Sequence, residues 1–352
     1  MYTHPFKLYM VNERSRIMEV KSVLATTCRR LGLTEHQTGK VEIVASEIMT
    51  NQLKYGLNGM ILFRTIKKSD EAGIEILGID SGPGMQNVWQ NIKDGVSSGE
   101  SSLGTGLGAI NRFSSEFDIY SYPDKGTVIY SLIRFREDEP AILFQQEPSV
   151  VSRPRKKEIN TGVLSVCYPG ADVCGDMCAT MQKAGNHYFF ISDGLGHGVP
   201  AHEASRKAVE SFTDSEKVDL RDILTDIHHG MEKTRGGVGA MLRLNLNKKR
   251  LAYCGVGNIT GKVIHEGKAK SLISVSGTLG YNMPRQPLVV EQDIVPPAVV
   301  VLHSDGLKNS WVWSDYPGLQ SRHPLVIAAV LYRDSKVTRD DQMAVVIKIN
   351  KV

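Results

Sequence analysis

Two stretches, YFFISDGLGHG at residues 188–198 and VVVLHSDGLKNS at residues 299–310, each end an apolar run in the tetrad Ser-Asp-Gly-Leu. The apolar residues predict buried strands, and the aspartate falls at the end of each strand. An ionised carboxylate in such a place is costly unless a cation or hydrogen bonds replace its lost hydration. The two stretches lie in dissimilar surroundings and no other repeat is visible, so a shared chemical need explains the tetrad better than duplication.

More aspartates of the C-terminal half share this setting beside glycine or a turn at a predicted strand edge. They are Asp176 in VCGDM and Asp340 with Asp341 in RDDQMAVVI, in addition to Asp193 and Asp305 of the tetrads. Carboxylates that converge from separate strands, with few histidines and no paired cysteines, form an oxygen-rich site suited to Mg²⁺ or Mn²⁺. The alternative is a set of ordinary turn residues.

Composition limits the classes of protein that the chain can belong to. Its 352 residues suggest two domains, and 41% apolar with 23% charged residues is ordinary globular composition. A formal charge of +4 is spread along the chain, which disfavours a nucleic-acid surface. No signal peptide or long apolar window is present, so we expect a cytoplasmic protein without a membrane segment.

The five cysteines are an odd number in a large chain, which argues against a disulfide framework. Cys167, Cys174 and Cys178 imitate a zinc cluster, but their spacing lacks a C-x-x-C pair and no second pair follows. We expect buried free thiols instead.

The pattern of elements predicts an α/β (α+β) chain with two domains and a linker. The domains are expected at residues 1–136 and 159–352, and residues 137–158 carry prolines and dense charge without a sustained period. Helices are predicted at 14–31, 35–55 and 108–117 in the first domain. The second domain is β-rich, with helices near 200–212, 219–233 and 317–330.

The order GD, SDG-x-GHG, GVGN, SDG and D-x-M-x-VV resembles the metal-dependent (PPM-type) Ser/Thr protein phosphatases, within them the SpoIIE/RsbX-like branch. The resemblance covers about 160–352 and implies an αββα sandwich with two metal ions, Mn²⁺ or Mg²⁺. By this resemblance Asp193 and Asp176 are catalytic, and the ligands are Asp193, the Gly194 carbonyl, Asp176, Asp305 and Asp341. Aligning AVV with the family's usual T-V-V selects Asp341, whereas matching the DD pair directly selects Asp340.

Two features of the implied phosphatase site stay open. His197 either protonates the leaving serine oxygen or stabilises the turn before the following helix. No arginine of the first motif is available to hold the phosphate, which leaves its orientation to the metals.

The N-terminal half carries a different set of motifs. Glu47 and Asn51 lie four apart on one face of the predicted second helix, with Lys54 toward the same side. A further acidic turn, GIEILGIDSGPGM at 73–85, precedes SLGTGLGAINR, whose glycines open a helix with amides that can hold phosphate. The Gly-rich stretch follows a polar loop rather than a first strand, which argues against a dinucleotide fingerprint.

E-x-x-x-N, D-x-G-x-G and G-x-G-x-G in this order resemble the GHKL ATPases, and 94–113 resembles the RsbT-type switch kinases. The resemblance spans about 10–135 and implies a two-layer α/β sandwich that binds ATP with Mg²⁺. Asn51 would hold Mg²⁺ and Glu47 would be the base for an incoming hydroxyl. The implied nucleotide-binding set is Asn51, Lys54, Asp80, Gly82, Gly84, Gly104, Gly106, Gly108 and Thr127.

Together the motifs predict a phosphatase that acts on Ser/Thr of a phosphorylated STAS-domain or similar partner in bacterial stress signalling. Kinase activity of the first domain stays open, and a homodimer is one of the assemblies that the sequence allows. The alternative is a partner-binding, anti-sigma-like module in which nucleotide state controls sequestration and the GHKL domain is non-catalytic.

Overall fold

The computed structural model describes residues 4–68, 71–88, 103–136 and 158–351. The chain divides into two compact units, one of Phe6–Arg155 and one of Lys156–Val352 together with Met1–Pro5. The predicted linker, except for its last residue, lies outside the described residues.

The N-terminal unit combines helices with one antiparallel sheet. Its helices are α1 (Ser15–Arg30), α2 (Glu35–Tyr55) and α3 (Leu103–Phe113). Its strands are β1 (Lys7–Val11), β2 (Gly59–Lys68), β3 (Glu71–Asp80), β4 (Glu116–Ser121) and β5 (Thr127–Arg136), in the order β1-β2-β3-β5-β4. Apolar side chains of the helices and of one sheet face share a core, which gives a two-layer α/β sandwich.

Helix α2 is fixed at both ends relative to the sheet. Thr34 caps its N-terminus in a capping box with Gln37. Near the C-terminus, the buried Gln52 amide donates to the carbonyls of Met60 and Ile79, at 2.7 and 3.1 Å. These bonds hold the last turns of α2 against β2 and β3.

The C-terminal unit contains ten strands and three α-helices. The strands are β6 (Ile159–Val166), β7 (Asp176–Lys183), β8 (Asn186–Gly194), β9 (Gly237–Asn245), β10 (Arg250–Val256), β11 (Thr260–His265), β12 (Lys268–Leu272), β13 (Val289–Asp293), β14 (Ala298–His303) and β15 (Gln342–Ile349). The helices are α4 (Val199–Asp214), α5 (Leu220–Met231) and α6 (Pro324–Ser335), with 3₁₀ turns at Trp313–Asp315 and Leu319–Ser321.

The strands form two five-stranded sheets, ordered β13-β10-β9-β8-β7 and β12-β11-β14-β15-β6. Residues such as Leu242 of the first sheet and Val300 of the second belong to one core, so the sheets face each other. Helices α4 and α5 cover the outer face of the first sheet, and α6 packs on β6 and β15 of the second. The unit is therefore an αββα sandwich, as predicted.

Several predicted elements differ from the observed ones. The predicted helix 108–117 is wrong in its bounds: α3 starts at Leu103, and residues 116 and 117 belong to β4. Burial of Leu107 and Ile110 in the core extends the helix through the glycines. The helix predicted at 317–330 begins later, at Pro324, and the prediction did not include β7 or β12.

All five cysteines are free thiols, four of them buried and Cys167 partly exposed. Among the described residues, the helices are all too short or too polar to cross a bilayer.

Candidate metal centre and nucleotide site

The pairing of β7 with β8 places Asp176 directly opposite Asp193. Asp176 is only 3% exposed, and its Oδ2 accepts a hydrogen bond of 2.7 Å from the Ser304 hydroxyl. Its Oδ1 is buried and has no hydrogen-bond partner within the described residues. An unpartnered carboxylate oxygen at this depth needs a proton or a cation, because water is excluded.

The second sheet adds carboxylates at the same place, because Ser304 reaches Asp176 from the end of β14. Antiparallel pairing sets the end of β14 beside the start of β15, so Asp305 lies near Asp340 and Asp341. The Ser304 amide donates to the Met343 carbonyl at 3.1 Å, which fixes this juxtaposition. The ends of four strands from two sheets therefore meet in one acidic cluster.

Mutual repulsion and burial shift the pKa values of this cluster upward. Burial, followed by the charge of Asp305, raises the pKa of Asp193 to about 8. Burial, followed by the charge of Asp193, raises the pKa of Asp176 well above its usual range. Burial and then Asp305 also raise the pKa of Asp340. Across the described part of the chain, no Lys, Arg or His forms an ion pair with these aspartates.

These observations fit a divalent cation. A cation would satisfy the orphaned Asp176 oxygen and would remove the repulsion that keeps protons on Asp193 and Asp176. The donors are carboxylates and a backbone carbonyl, which is the hard oxygen set of Mg²⁺ or Mn²⁺.

The Gly194 carbonyl lies inside this cluster. A Cβ atom placed on Gly175 would lie 2.9 Å from Asp341 Oδ2 and 3.6 Å from the Gly194 oxygen. The Asp341 Oδ2 and Gly194 oxygens therefore both lie near Gly175, and the role of the Gly194 carbonyl as a metal ligand stays a prediction.

Asp340 and Asp341 have different surroundings. The Asp341 carboxylate accepts from the backbone N–H of Tyr168 at 2.6 Å and of Gly175 at 2.8 Å, and from the Cys174 thiol at 3.4 Å. Asp340 instead lies beside Asp305. Asp341 thus has hydrogen-bond partners that hold its carboxylate, and a carboxylate retains further lone pairs for a metal. The choice between the two as ligand stays a prediction.

Four side chains around the cluster were not predicted as site residues. Asn258 donates to Asp305 Oδ2 at 2.7 Å, and its place in the GVGN motif was the available signal. Ser304 precedes Asp305 in the second tetrad, so it too lay in a motif. Tyr168 and Arg235 carried no sequence signal.

Tyr168 and Arg235 both contact the SDGLGHG loop. The His197 ring stacks on Tyr168 with a centroid separation of 4.5 Å. Arg235 donates from Nη1 to the Leu195 carbonyl at 3.0 Å, next to Gly194. Arg235 also lines a cavity of about 560 Å³ with Lys207 and Lys233. The structure thus shows an arginine beside the SDGLGHG loop, and the sequence alone had identified no arginine near this motif.

The predicted nucleotide residues converge at the ends of α2 and β3. Asp80 pairs with Thr127 across β3 and β5, and Asp80 Oδ1 accepts from the Gly82 amide at 2.8 Å. A Cβ on Gly56, which ends α2, would lie 3.0 Å from the Asp80 Cβ. The acidic turn therefore lies against the end of the helix that carries Glu47 and Asn51, and Lys54 lies exposed in its last turn.

The glycine-rich stretch is helical from Leu103 onward, whereas the predicted helix began at residue 108. Gly104, Gly106 and Gly108 all lie inside α3, so they do not form an open loop before the helix. A Cβ on Gly106 would lie 2.6 Å from Glu47 Oε2 and within 3.6 Å of the Asn51 amide atoms. The absence of a side chain at Gly106 thus lets α3 approach the two polar residues of α2. Gly84, with φ +69°, adopts a conformation that favours glycine.

The C-terminal unit is thus an αββα sandwich with a carboxylate cluster where its two sheets meet. Residues 183–311 match the family model Stage II sporulation protein E (SpoIIE), and residues 11–131 match Histidine kinase-like ATPase domain. The SpoIIE match contains Asp193 and Asp305, while Asp176, Asp340 and Asp341 lie outside it. The chain thus joins a histidine kinase-like ATPase domain to a SpoIIE-type phosphatase domain.

Two proteins of Bacillus subtilis (strain 168) resemble the two halves. Phosphoserine phosphatase RsbX is 24% identical over 189 residues, which is 53% of this chain and 92% of RsbX. Serine/threonine-protein kinase RsbT is 25% identical over 116 residues, which is 33% of this chain and 86% of RsbT.

A solved structure is similar to part of this chain. It is reported under the description "The bacterial stressosome: a modular system that has been adapted to control secondary messenger signaling". It is 25% identical, has a TM-score of 0.51, and covers 55% of this chain and 100% of its own length.

Proposed function

We propose that the C-terminal domain hydrolyses phosphoserine or phosphothreonine on a partner protein with two divalent ions, Mn²⁺ or Mg²⁺. The buried, unpartnered Oδ1 of Asp176 opposite Asp193 carries this proposal, because it marks a site built for a cation. When bound, such ions lower the pKa of a shared water and hold phosphate oxygens for in-line attack.

The residues of the chain would have distinct tasks at this site. Asp193, Asp176, the Gly194 carbonyl, Asp305 and one of the Asp340/Asp341 pair would hold the two ions. Ser304 orients Asp176 and Asn258 orients Asp305 through the hydrogen bonds described above. Outer partners of this kind fix the geometry of metal ligands.

We further propose that the N-terminal domain binds ATP with Mg²⁺ through the Asp80 turn and Asn51. Asp80 would accept from the adenine amino group, with Thr127 beside it and Gly82 and Gly84 leaving room for the base. Glu47 would be the base if the domain transfers phosphate. The resemblance to a serine/threonine-protein kinase supports this assignment.

The partner that we propose is a phosphorylated STAS-domain or similar regulatory protein of a cytoplasmic stress-signalling switch. The support is that the two halves resemble a phosphoserine phosphatase and a protein kinase, and that a solved structure described with the bacterial stressosome is similar to this chain. A homodimer is compatible with this role.

One observation favours the alternative, a nucleotide-dependent partner-binding module. The Glu47 carboxylate lies close to Gly106 of α3, so a helix approaches one side of the candidate base. In that case the phosphatase would be the only chemistry of the chain.

Hydrolysis assays on the full chain test the proposal. A phosphoserine peptide and p-nitrophenyl phosphate should be hydrolysed only with Mn²⁺ or Mg²⁺, and Asp193→Asn should abolish hydrolysis. Activity of the wild-type protein in excess chelator would refute the metal-dependent reaction. ATP turnover in the presence of a candidate partner separates a kinase from a binding module.

A further inference from the structure

Cys167 and Cys174 lie at the two ends of the short loop CYPGADVC, between β6 and β7. The Ala171 amide donates to the Tyr168 carbonyl at 2.9 Å, and Gly170 has φ +83°. With Pro169 before Gly170, this is the pattern of a type II turn. The turn reverses the chain and brings the two cysteines toward each other.

The two thiols meet at the Asp341 carboxylate. The sulfur atoms of Cys167 and Cys174 and an Asp341 oxygen all lie within 4.8 Å of one another. Cys174 is buried, whereas Cys167 is partly exposed. One thiol of the pair is therefore accessible to a small reagent, and the second lies beside it.

The same loop holds the Asp341 side chain. Asp341 accepts from the Tyr168 amide, the Cys174 thiol and the Gly175 amide, all of which lie at or next to the ends of this loop. The Cys174 carbonyl also contacts the His202 ring nitrogen at 2.8 Å. Asp176 follows only two residues after Cys174. A change at the thiols therefore acts on the backbone that supports the acidic cluster.

We propose that Cys167 and Cys174 are a modification site at which a peroxide forms a disulfide that weakens metal binding in the phosphatase domain. The effect on activity rests on the proposed function, whereas disulfide formation does not.

The reaction needs a peroxide such as hydrogen peroxide as the two-electron oxidant. The Cys167 sulfur attacks one peroxide oxygen, the O–O bond breaks, and the first water leaves with the thiol proton, which gives a sulfenic acid. The Cys174 sulfur then attacks the Cys167 sulfur, the S–O bond breaks, and the hydroxyl leaves as a second water with the Cys174 proton. Two thiols and one peroxide thus give one disulfide and two waters.

The disulfide would change the support of Asp341 in two ways. The Cys174 thiol loses the hydrogen that it donates to Asp341 Oδ1. The sulfur atoms must also approach to about 2 Å from their present separation, which moves the ends of the loop. The loss of a hydrogen-bond partner of a metal ligand typically lowers metal affinity by tenfold or more. We therefore expect the oxidised protein to bind Mn²⁺ about tenfold more weakly.

The remaining cysteines offer matched controls. Cys254 lies buried in β10 of the same domain, and Cys28 lies buried in α1 of the other domain. Cys178 is close in sequence but lies buried within β7. Neither burial nor loop geometry favours oxidation at these positions.

Peptide mapping of the full chain tests the modification directly. The reduced protein is treated with hydrogen peroxide in the presence of chelator, alkylated, and digested with a protease that cleaves before aspartate. Asp172 and Asp176 then separate Cys167, Cys174 and Cys178 onto three fragments. We expect the first two fragments to be joined and to separate on reduction. Separate fragments, or a link to Cys178, would overturn the proposal.

Calorimetry of Mn²⁺ binding and phosphopeptide hydrolysis test the consequence. Oxidised wild-type protein should bind Mn²⁺ more weakly and should recover its Mn²⁺ affinity after reduction with dithiothreitol. Oxidised Cys254→Ala should behave in the same way. Cys167→Ser should show no peroxide effect while keeping its metal affinity. A disulfide without any change in Mn²⁺ affinity would refute the regulatory effect. An inactive reduced wild-type protein that still forms the disulfide would instead refute the proposed phosphatase function.

Discussion

Replacing Asp193 with asparagine should have opposite effects on stability in the absence and presence of metal. Burial and neighbouring carboxylates raise the pKa of Asp193 to about 8 in the metal-free fold, against an ordinary value of 3.8. Because this pKa is higher in the folded than in the unfolded state, protonated Asp193 contributes fully to the free energy of unfolding below the unfolded-state pKa. This contribution is lost as pH rises through about 8. At about 1.4 kcal/mol per pKa unit, the loss is on the order of 5 kcal/mol.

Asparagine cannot ionise, so the variant escapes this loss. The stability advantage of metal-free Asp193→Asn over the metal-free wild-type protein should grow from about 1–2 kcal/mol at pH 5 to about 5 kcal/mol at pH 8, because the wild-type protein loses stability as pH rises from 3.8 to about 8. Mn²⁺ at about 100 times its dissociation constant should add about 2.7 kcal/mol to the wild-type protein. The variant should gain little, because it lacks the bridging charge.

Urea unfolding of the full chain measures this difference. Two of the three tryptophans of the chain, Trp311 and Trp313, are buried in the phosphatase domain, so most of the change in tryptophan emission should report the unfolding of this domain. The exposed Asp222 offers a control, since Asp222→Asn should not change the pH dependence. If metal-free wild-type stability rises from pH 5 to pH 8, or if Asp193→Asn is equally destabilised at both values, the reasoning about a repulsive carboxylate cluster is wrong.

Other substitutions test the remaining assignments. Asp340→Asn should lower the Mn²⁺ affinity without lowering the free energy of unfolding. Asp341→Asn should also lower the free energy of unfolding by about 1–3 kcal/mol, because two backbone N–H groups lose a charged acceptor. Calorimetry and urea unfolding compare the two variants, and the larger loss of Mn²⁺ affinity identifies the ligand. Asp80→Asn should weaken ATP about tenfold, since an amide can present a donor to the adenine amino group; unchanged affinity by calorimetry would contradict the adenine contact. Arg235→Ala should raise KM for a phosphoserine peptide more than for p-nitrophenyl phosphate. The reason is that the Arg235 guanidinium lies beside the SDGLGHG loop and lines a cavity that a peptide can enter. Equal changes in KM for both substrates would show that Arg235 does not contact the peptide.

The sequence alone predicted most elements whose pattern is local. The helices at 14–31 and 35–55 agree with α1 and α2 to within a residue at each end. The apolar runs that end in aspartate correctly predicted the strands β8 and β14. They also correctly predicted a carboxylate at the end of each apolar run. These features depend on residues close together in the chain, because hydrophobic period and turn chemistry are read over short windows.

The prediction failed where a distant contact competes with a local signal. Glycines 104, 106 and 108 favour a loop by composition, yet the burial of Leu107 and Ile110 keeps them in a helix. The strand β7 was not predicted, because its alternation is weak and its pairing with β8 stabilises it.

For the candidate site, too, the sequence predicted the local features and the tertiary structure decided the long-range contacts. The sequence determined that the chain carries acidic turns, and the order of its motifs indicated a phosphatase and an ATPase domain. Only the tertiary structure decided that Asp176 faces Asp193, that Ser304 joins the two sheets, and that Asp341 is held by the loop before β7. These contacts depend on strand register and on the packing of one sheet against the other. The contacts of Ser304 with Asp176 and of Asp341 with Tyr168 join residues more than a hundred positions apart, a separation that no local pattern records.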